Sequence, residues 1–134
     1  MAEPKPVPAP STEDAEFWRR ARAHELALPK CGNCGHVWFP AYARCPECLG
    51  RDVEWIVASG RGEVFAFTVF HRPYVRSFAD DLPYHVALVR LEEGPFIYGN
   101  LVDGVGTPAY RLRRMPTPVP LHVVASDHVA KLPE

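Results

Sequence analysis

Residues 31–48 read CGNCGHVWFPAYARCPEC. The stretch holds all four cysteines of the chain, as the pairs Cys31–Cys34 and Cys45–Cys48. A CxxC turn aims two sulfurs at one point, and two such turns close a tetrahedron around one metal ion. Gly35, directly after the first pair, suits the left-handed backbone that ends such a turn. At the matching place after the second pair stands Leu49, with Gly50 one later, a less suitable arrangement. Lys30 and Arg44 each precede a pair and are placed to offset the negative charge of four thiolates around a divalent ion. A four-sulfur site leaves no open coordination position, so it is expected to be structural. Zinc is the expected metal, with iron as the alternative. A disulfide or redox reading is the other possibility, but no βαβ pattern surrounds either pair.

Outward from this window, the chain has 134 residues, 47% of them hydrophobic, enough for one ordinary domain or two very small ones. No run of about 18 apolar residues is present, which excludes a membrane-spanning helix. The net charge of −1 argues against a chain whose main work is gripping phosphate backbones. Cysteines confined to metal-like pairs favour a reducing compartment, and a cytoplasmic location is expected. Residues 1–10, MAEPKPVPAP, lack core-forming side chains and read as a disordered tail, or as a linker from an upstream domain. No leader-like apolar segment opens the sequence.

Residues 11–28 are expected to be helical. Ser11 and Asp14 have capping spacing, Glu13, Asp14 and Glu16 favour the positive end of the helix dipole, and Arg19, Arg20, Arg22 and His24 lie towards its other end. Phe17 and Trp18 are neighbours, about 100° apart around a helix. One small core can hardly bury both, so either they dock within the chain or one of them meets a partner. The metal module then runs over 29–58, with Val37–Pro40 as a strand between the knuckles and 51–58 as a strand-like exit.

The remainder, 59–134, reads as β. Ser59-Gly60-Arg61-Gly62 is a turn, and strands are expected at Glu63–Arg72, Tyr84–Leu91, Phe96–Val102 and Pro118–Ser126, with a short fifth at His128–Leu132. In the second of these, His85, Ala87, Val89 and Leu91 share one side, and Val86, Leu88 and Arg90 the other. Long loops fill 73–83 and 103–117. Five short strands with a long connection before the fourth indicate a small Greek-key barrel of the OB type. The predicted fold is therefore mainly β: an N-terminal helix, a metal-pinned module and a C-terminal five-stranded barrel.

Sequence signatures of catalysis are missing: there is no GxSxG, no phosphate-binding glycine loop and no HExxH. No catalytic residue is assigned. His71, in His71-Arg72-Pro73-Tyr74, closes a strand and opens a loop, which suits a strand-end hydrogen bond or an acid–base role. Asp80-Asp81 reads as a solvated turn. Arg111, Arg113 and Arg114 form a dense basic cluster. It is either a solvated loop or a contact for an anion, such as the phosphates of a coenzyme, an acidic protein surface or a single-stranded nucleic acid.

Taken together, CGNCGHVWFPAYARCPEC, VEWIVASGRGEVFAFTVFHRPY and LPYHVALVRLEEGPFIYGNLV resemble the acyl-CoA-associated family with a rubredoxin-like zinc ribbon and a C-terminal OB fold, known as the domain of unknown function thirty-five. The resemblance runs over about residues 13–132. It departs at Ala41, where a second proline is common after Pro40, and at GTPAYRLRR before Met115. It implies a structural zinc on Cys31, Cys34, Cys45 and Cys48, and a subunit without catalysis of its own. It also implies a hetero-oligomer with a thiolase-fold partner whose acyl-CoA site the chain helps to form. One branch of the family serves steroid side-chain degradation, where a thiolase-like aldolase cleaves an acyl-CoA by a retro-aldol step and releases propionyl-CoA; the Pro-rich start fits that branch. On this reading Phe17, Trp18, Trp38 and Phe39 face the partner, and His71, Arg72, Tyr74, Arg111, Arg113 and Arg114 contact acyl-CoA or another anion. A single-stranded nucleic-acid-binding module is the alternative.

Overall fold

A computed structural model describes residues 4–100 and the backbone of 119–122. Ser11 and Asp14 bond to each other as their spacing suggests, but ahead of the helix, whose N-cap is Asp14 and not Ser11. The Ser11 N–H and hydroxyl donate to the Asp14 carboxylate at 2.6 and 2.8 Å, and the Asp14 N–H points back at the Ser11 hydroxyl at 3.4 Å. Asp14 also accepts the Trp18 indole N–H at 2.8 Å. Helix α1 then spans only Ala15–Arg22, well short of the expected 11–28. His24 adopts a left-handed φ of 60°, and the N–H groups of Ala23, His24 and Glu25 close onto Arg20 and Ala21 carbonyls. Pro29 explains why the helix does not resume: it disfavours helical backbone at Leu28 and leads it into a strand instead.

Strand β1 (Ala27–Cys31) pairs antiparallel with β2 (Val53–Val57), Ala27 opposite Val57 and Cys31 opposite Val53. The pair brackets the cysteine window, β1 delivering the chain into the first knuckle and β2 receiving it after the second. The strand expected at Val37–Pro40 is reduced to one bridge, Lys30 with Val37. Pro40 has no N–H to donate to a ladder, and the chain turns away there.

Four further strands form one antiparallel sheet: β3 (Arg61–Phe70), β4 (Tyr84–Leu91), β5 (Phe96–Asn100) and β6 (Val119–His122), in the order β5-β4-β3-β6. A 3-10 turn at Arg76–Asp81 breaks the long β3–β4 connection. The fifth strand expected at His128–Leu132 lies outside the described residues. β4 behaves as its alternation requires, with Ala87, Val89 and Leu91 buried and Arg90 exposed. At Gly62 in β3, an added Cβ would sit 2.7 Å from the Arg90 carbonyl oxygen and 2.8 Å from Val89 Cγ1, so only glycine allows the strands to close here. The core joins both parts of the chain: Leu28 of β1 and Ala58, just past β2, pack with Val64, Ala87, Val89 and Leu91, flanked by Phe39, Ile56, Phe67 and Ile97. The fold is mainly β, with an N-terminal helix, a four-cysteine module and an OB-like β domain.

Candidate metal centre and the surfaces around it

The two knuckles repeat one hydrogen-bond scheme. In the first, the Gly35 N–H donates to the Cys31 carbonyl at 2.9 Å, and the Cys31 N–H to the His36 carbonyl at 2.8 Å. In the second, the Leu49 N–H donates to the Cys45 carbonyl at 2.9 Å, and the Cys45 N–H to the Gly50 carbonyl at 3.0 Å. The equivalence extends to the backbone: Gly35 has φ 76° and Leu49 has φ 61°. The second knuckle thus takes the same left-handed turn without a glycine, and the Leu49 side chain is left exposed.

This pairing brings the four sulfurs together. Cys31 Sγ lies 3.5 Å from Cys48 Sγ, Cys34 Sγ lies 3.6 Å from Cys45 Sγ, and all four fall within 4.8 Å of one another. A tetrahedron with Zn–S bonds of ~2.3 Å has edges of about 3.8 Å, so the spacing fits the ion. Cys31 and Cys45 are buried beside Trp38, while Cys34 and Cys48 face outward. The donor set fits as well. N–H groups of His36 and Gly50 point at Cys34 and Cys48, and the Asn33 amide reaches Cys48 Sγ at 3.7 Å. Without a cation the thiols do not ionise alike. The Gly50 N–H and the Asn33 amide pull Cys48 down to about 6. Cys34 is lowered by the His36 N–H, but desolvation and the neighbouring thiols outweigh this and push it up to about 12. A divalent ion would remove that conflict by binding all four as thiolates. Lys30 stands opposite Glu54 in the β1–β2 ladder.

The side chains expected to face a partner separate into two kinds. Phe17 packs on Phe39 with ring centroids 5.3 Å apart and on Trp18 at 5.0 Å, which docks α1 onto the metal module. All three remain half-buried. Trp38 is only 4% exposed, stacked on His36 and packed against Cys31 and Cys45. It fills the inside of the knuckles and offers no surface, so the interface expectation does not extend to it. His71, Arg72 and Tyr74 are exposed together on the loop after β3. Arg111, Arg113 and Arg114 lie outside the described residues.

Sequence reasoning missed a surface on the sheet. Phe65 sits where the β3–β4 register shifts, and its ring meets Phe96 of β5 at 5.1 Å. Both are exposed, as is Tyr98, which lies opposite Leu88. The signal was present in β4, where Val86 and Leu88 on the outward side are apolar too.

Known proteins share this arrangement. The profile of the ChsH2 rubredoxin-like zinc ribbon domain matches residues 18–54, and that of the ChsH2 C-terminal OB-fold domain matches 55–120. A DUF35 domain-containing scaffold protein of Methanothermobacter thermautotrophicus is 37% identical over 94 residues, which are 69% of this chain and 70% of that protein. The chain belongs to the DUF35 family. Cys31, Cys34, Cys45 and Cys48 of this DUF35 chain form a rubredoxin-like zinc ribbon whose four close sulfurs can bind a structural zinc. Another relative of this DUF35 chain is the 3-oxo-4,17-pregnadiene-20-carboxyl-CoA hydratase alpha subunit of Mycobacterium tuberculosis, 35% identical over 70% of this chain but only 29% of that subunit. Among solved structures, the Ltp2-ChsH2(DUF35) aldolase superposes with a TM-score of 0.74 at 28% identity, covering 91% of this chain and 92% of that one. Among the described residues of this DUF35 chain, no helix is long and apolar enough to cross a membrane.

Proposed function

We propose that this DUF35 chain is a non-catalytic accessory subunit that docks on a thiolase-fold enzyme in the cytoplasm and helps to form its acyl-CoA site. The reaction served would be retro-aldol cleavage of a steroid side-chain acyl-CoA, releasing propionyl-CoA. The observation that carries this reading is the likeness to the Ltp2-ChsH2(DUF35) aldolase over nine-tenths of both chains. The hydratase relative, named for a steroid carboxyl-CoA, supports the substrate class.

In this role the residues divide by chemistry. Cys31, Cys34, Cys45 and Cys48 hold the zinc, which supplies rigidity and no reactive position. The zinc ribbon and core fix the half-buried Phe17, Trp18 and Phe39 on one flank, where further burial against a partner would cover apolar surface. His71, Arg72 and Tyr74 stand together on an exposed loop. Arg72 offers a fork of donors suited to a coenzyme phosphate, and Tyr74 and His71 offer rings and further donors beside it. The groups that break the carbon–carbon bond would reside on the enzyme partner, in a dry channel that this subunit helps to wall.

Co-expression with thiolase-fold enzymes, followed by size-exclusion chromatography, tests the reading. A stable complex with one of them is expected, weakened at least tenfold by Phe17→Ala or Trp18→Ala in a chain that keeps its zinc. Failure to co-elute with every such enzyme, with or without acyl-CoA, would refute the proposal.

A further inference from the structure

The Pro-rich start of the chain is not simply a tail. Lys5 Nζ lies 2.6 Å from Asp81 Oδ2, and the same ammonium sits 5.4 Å from the centre of the Phe78 ring. Phe78 belongs to a row of four rings. It meets Tyr84 at 6.0 Å, Tyr84 stacks on Phe70 at 5.0 Å, and Phe70 meets Tyr74 edge-on at 5.5 Å. The row spans the end of β3, the 3-10 turn and the start of β4, with Asp80 and Asp81 beside it. Pro4, Pro6 and Pro8 alternate with Lys5 and Val7, a composition that favours the stiff polyproline II form and has little entropy to lose on docking. Aromatic-lined grooves recognise such segments, and a carboxylate beside the rings selects one that carries a cation.

We infer that this aromatic, acidic platform is the receptor for the chain's own N-terminal segment, which it holds through Lys5. Docking ties the strap to the 3-10 turn. Because Tyr74 shares the ring row, it also steadies the start of the loop that carries His71 and Arg72. The inference does not depend on the thiolase-fold partner.

The experiment uses the 134-residue chain, with ¹H–¹⁵N heteronuclear NOE values at Lys5, Val7 and Ala9 and amide hydrogen exchange across residues 74–84. Lys5→Glu and Asp81→Lys should each lower those NOE values and speed exchange across 74–84 about three- to tenfold, the range that an exposed ion pair plus a surface cation–π contact supports. The double variant Lys5→Glu/Asp81→Lys should recover most of the protection. Phe78→Leu, which keeps apolar bulk but loses the ring face, should loosen the strap without unfolding the sheet. Unchanged exchange across 74–84 in Lys5→Glu, or a charge-swapped variant as loose as the single ones, would overturn the inference. A protection that falls on dilution would mean that a second copy supplies the segment, and would overturn the assignment to the same chain.

Discussion

Zinc loss should be felt in the β domain as well as in the knuckles, because Leu28 belongs to both. This residue is fully buried, lies within β1 opposite Ile56, and packs with Val64, Ala87, Val89 and Leu91. Cys45→Ser removes a buried ligand from the site. Structural zinc contributes about 10–16 kcal/mol in isolated zinc-binding peptides. That exceeds what a module built around Cys31, Trp38, Cys45 and Val53 obtains from its own small cluster. The knuckles should therefore unfold, and β1 should loosen with them. Withdrawing Leu28 from the shared core resembles a large-to-small substitution, at a cost of about 2–5 kcal/mol. Against a total stability of about 5–15 kcal/mol for an ordinary domain, this leaves the sheet folded but marginal. Hydrogen exchange separates the two effects. Amides of residues 31–50 should lose nearly all protection, and those of Ala87 and Val89 should exchange at least thirtyfold faster. Emission from the buried Trp38 should shift to the red at the same time. If the variant loses its zinc and its knuckle protection while Ala87 and Val89 stay as slow as before, the shared-core reasoning is wrong.

Other substitutions probe single features. Gly35→Ala meets no atom within 4 Å and should cost only the strain of φ 76°, about 1–2 kcal/mol by denaturant unfolding. Gly62→Ala should cost more, about 2–4 kcal/mol, because its Cβ collides with backbone oxygen 2.7 Å away. Glu16 is held down to about 2 by hydrogen bonds from Arg19 and Arg20, from an ordinary 4.5. A lowered carboxylate stabilises the folded chain above pH 4.5, and that contribution is lost as pH falls from 4.5 towards 2. Circular dichroism should show an acid loss of α1 that Glu16→Gln abolishes, small in size because the pair is solvent-screened. Phe39→Ala removes the ring under Phe17 and should release α1 from the ribbon, at a cost of about 2–3 kcal/mol for a half-buried aromatic.

How far the fold could be read from sequence depended on whether a local rule decided each element. Cysteine spacing is such a rule, since two equal knuckles can close on one ion only by meeting. The alternation in β4 is another, and its boundaries and buried face follow from it. The C-terminal end of α1 was not legible from propensity alone. Ala23–Leu28 contains good helix formers, and what stops them is Pro29 together with the pairing of Ala27 and Leu28 to β2, a contact distant in sequence. Val37–Pro40 has strand composition, but a strand needs a partner edge, and only Val37 finds one. At the site, Trp38 was expected to face a partner, but it packs between the two knuckles against Cys31 and Cys45. Lys5 looked unattached because nothing nearby in sequence could hold it, and its carboxylate stands 76 positions later, at Asp81. Residues 101–118 and 123–134 lie outside the described structure, and the arginine cluster goes with them.

The most direct measurement is turnover of a steroid side-chain acyl-CoA by the thiolase-fold enzyme alone, by this chain alone, and by the two mixed at equal concentration. The account predicts propionyl-CoA from the mixture, little or none from either component, and loss of the gain when zinc-free chain is substituted. Full turnover by the enzyme alone, or by this chain alone, would contradict it.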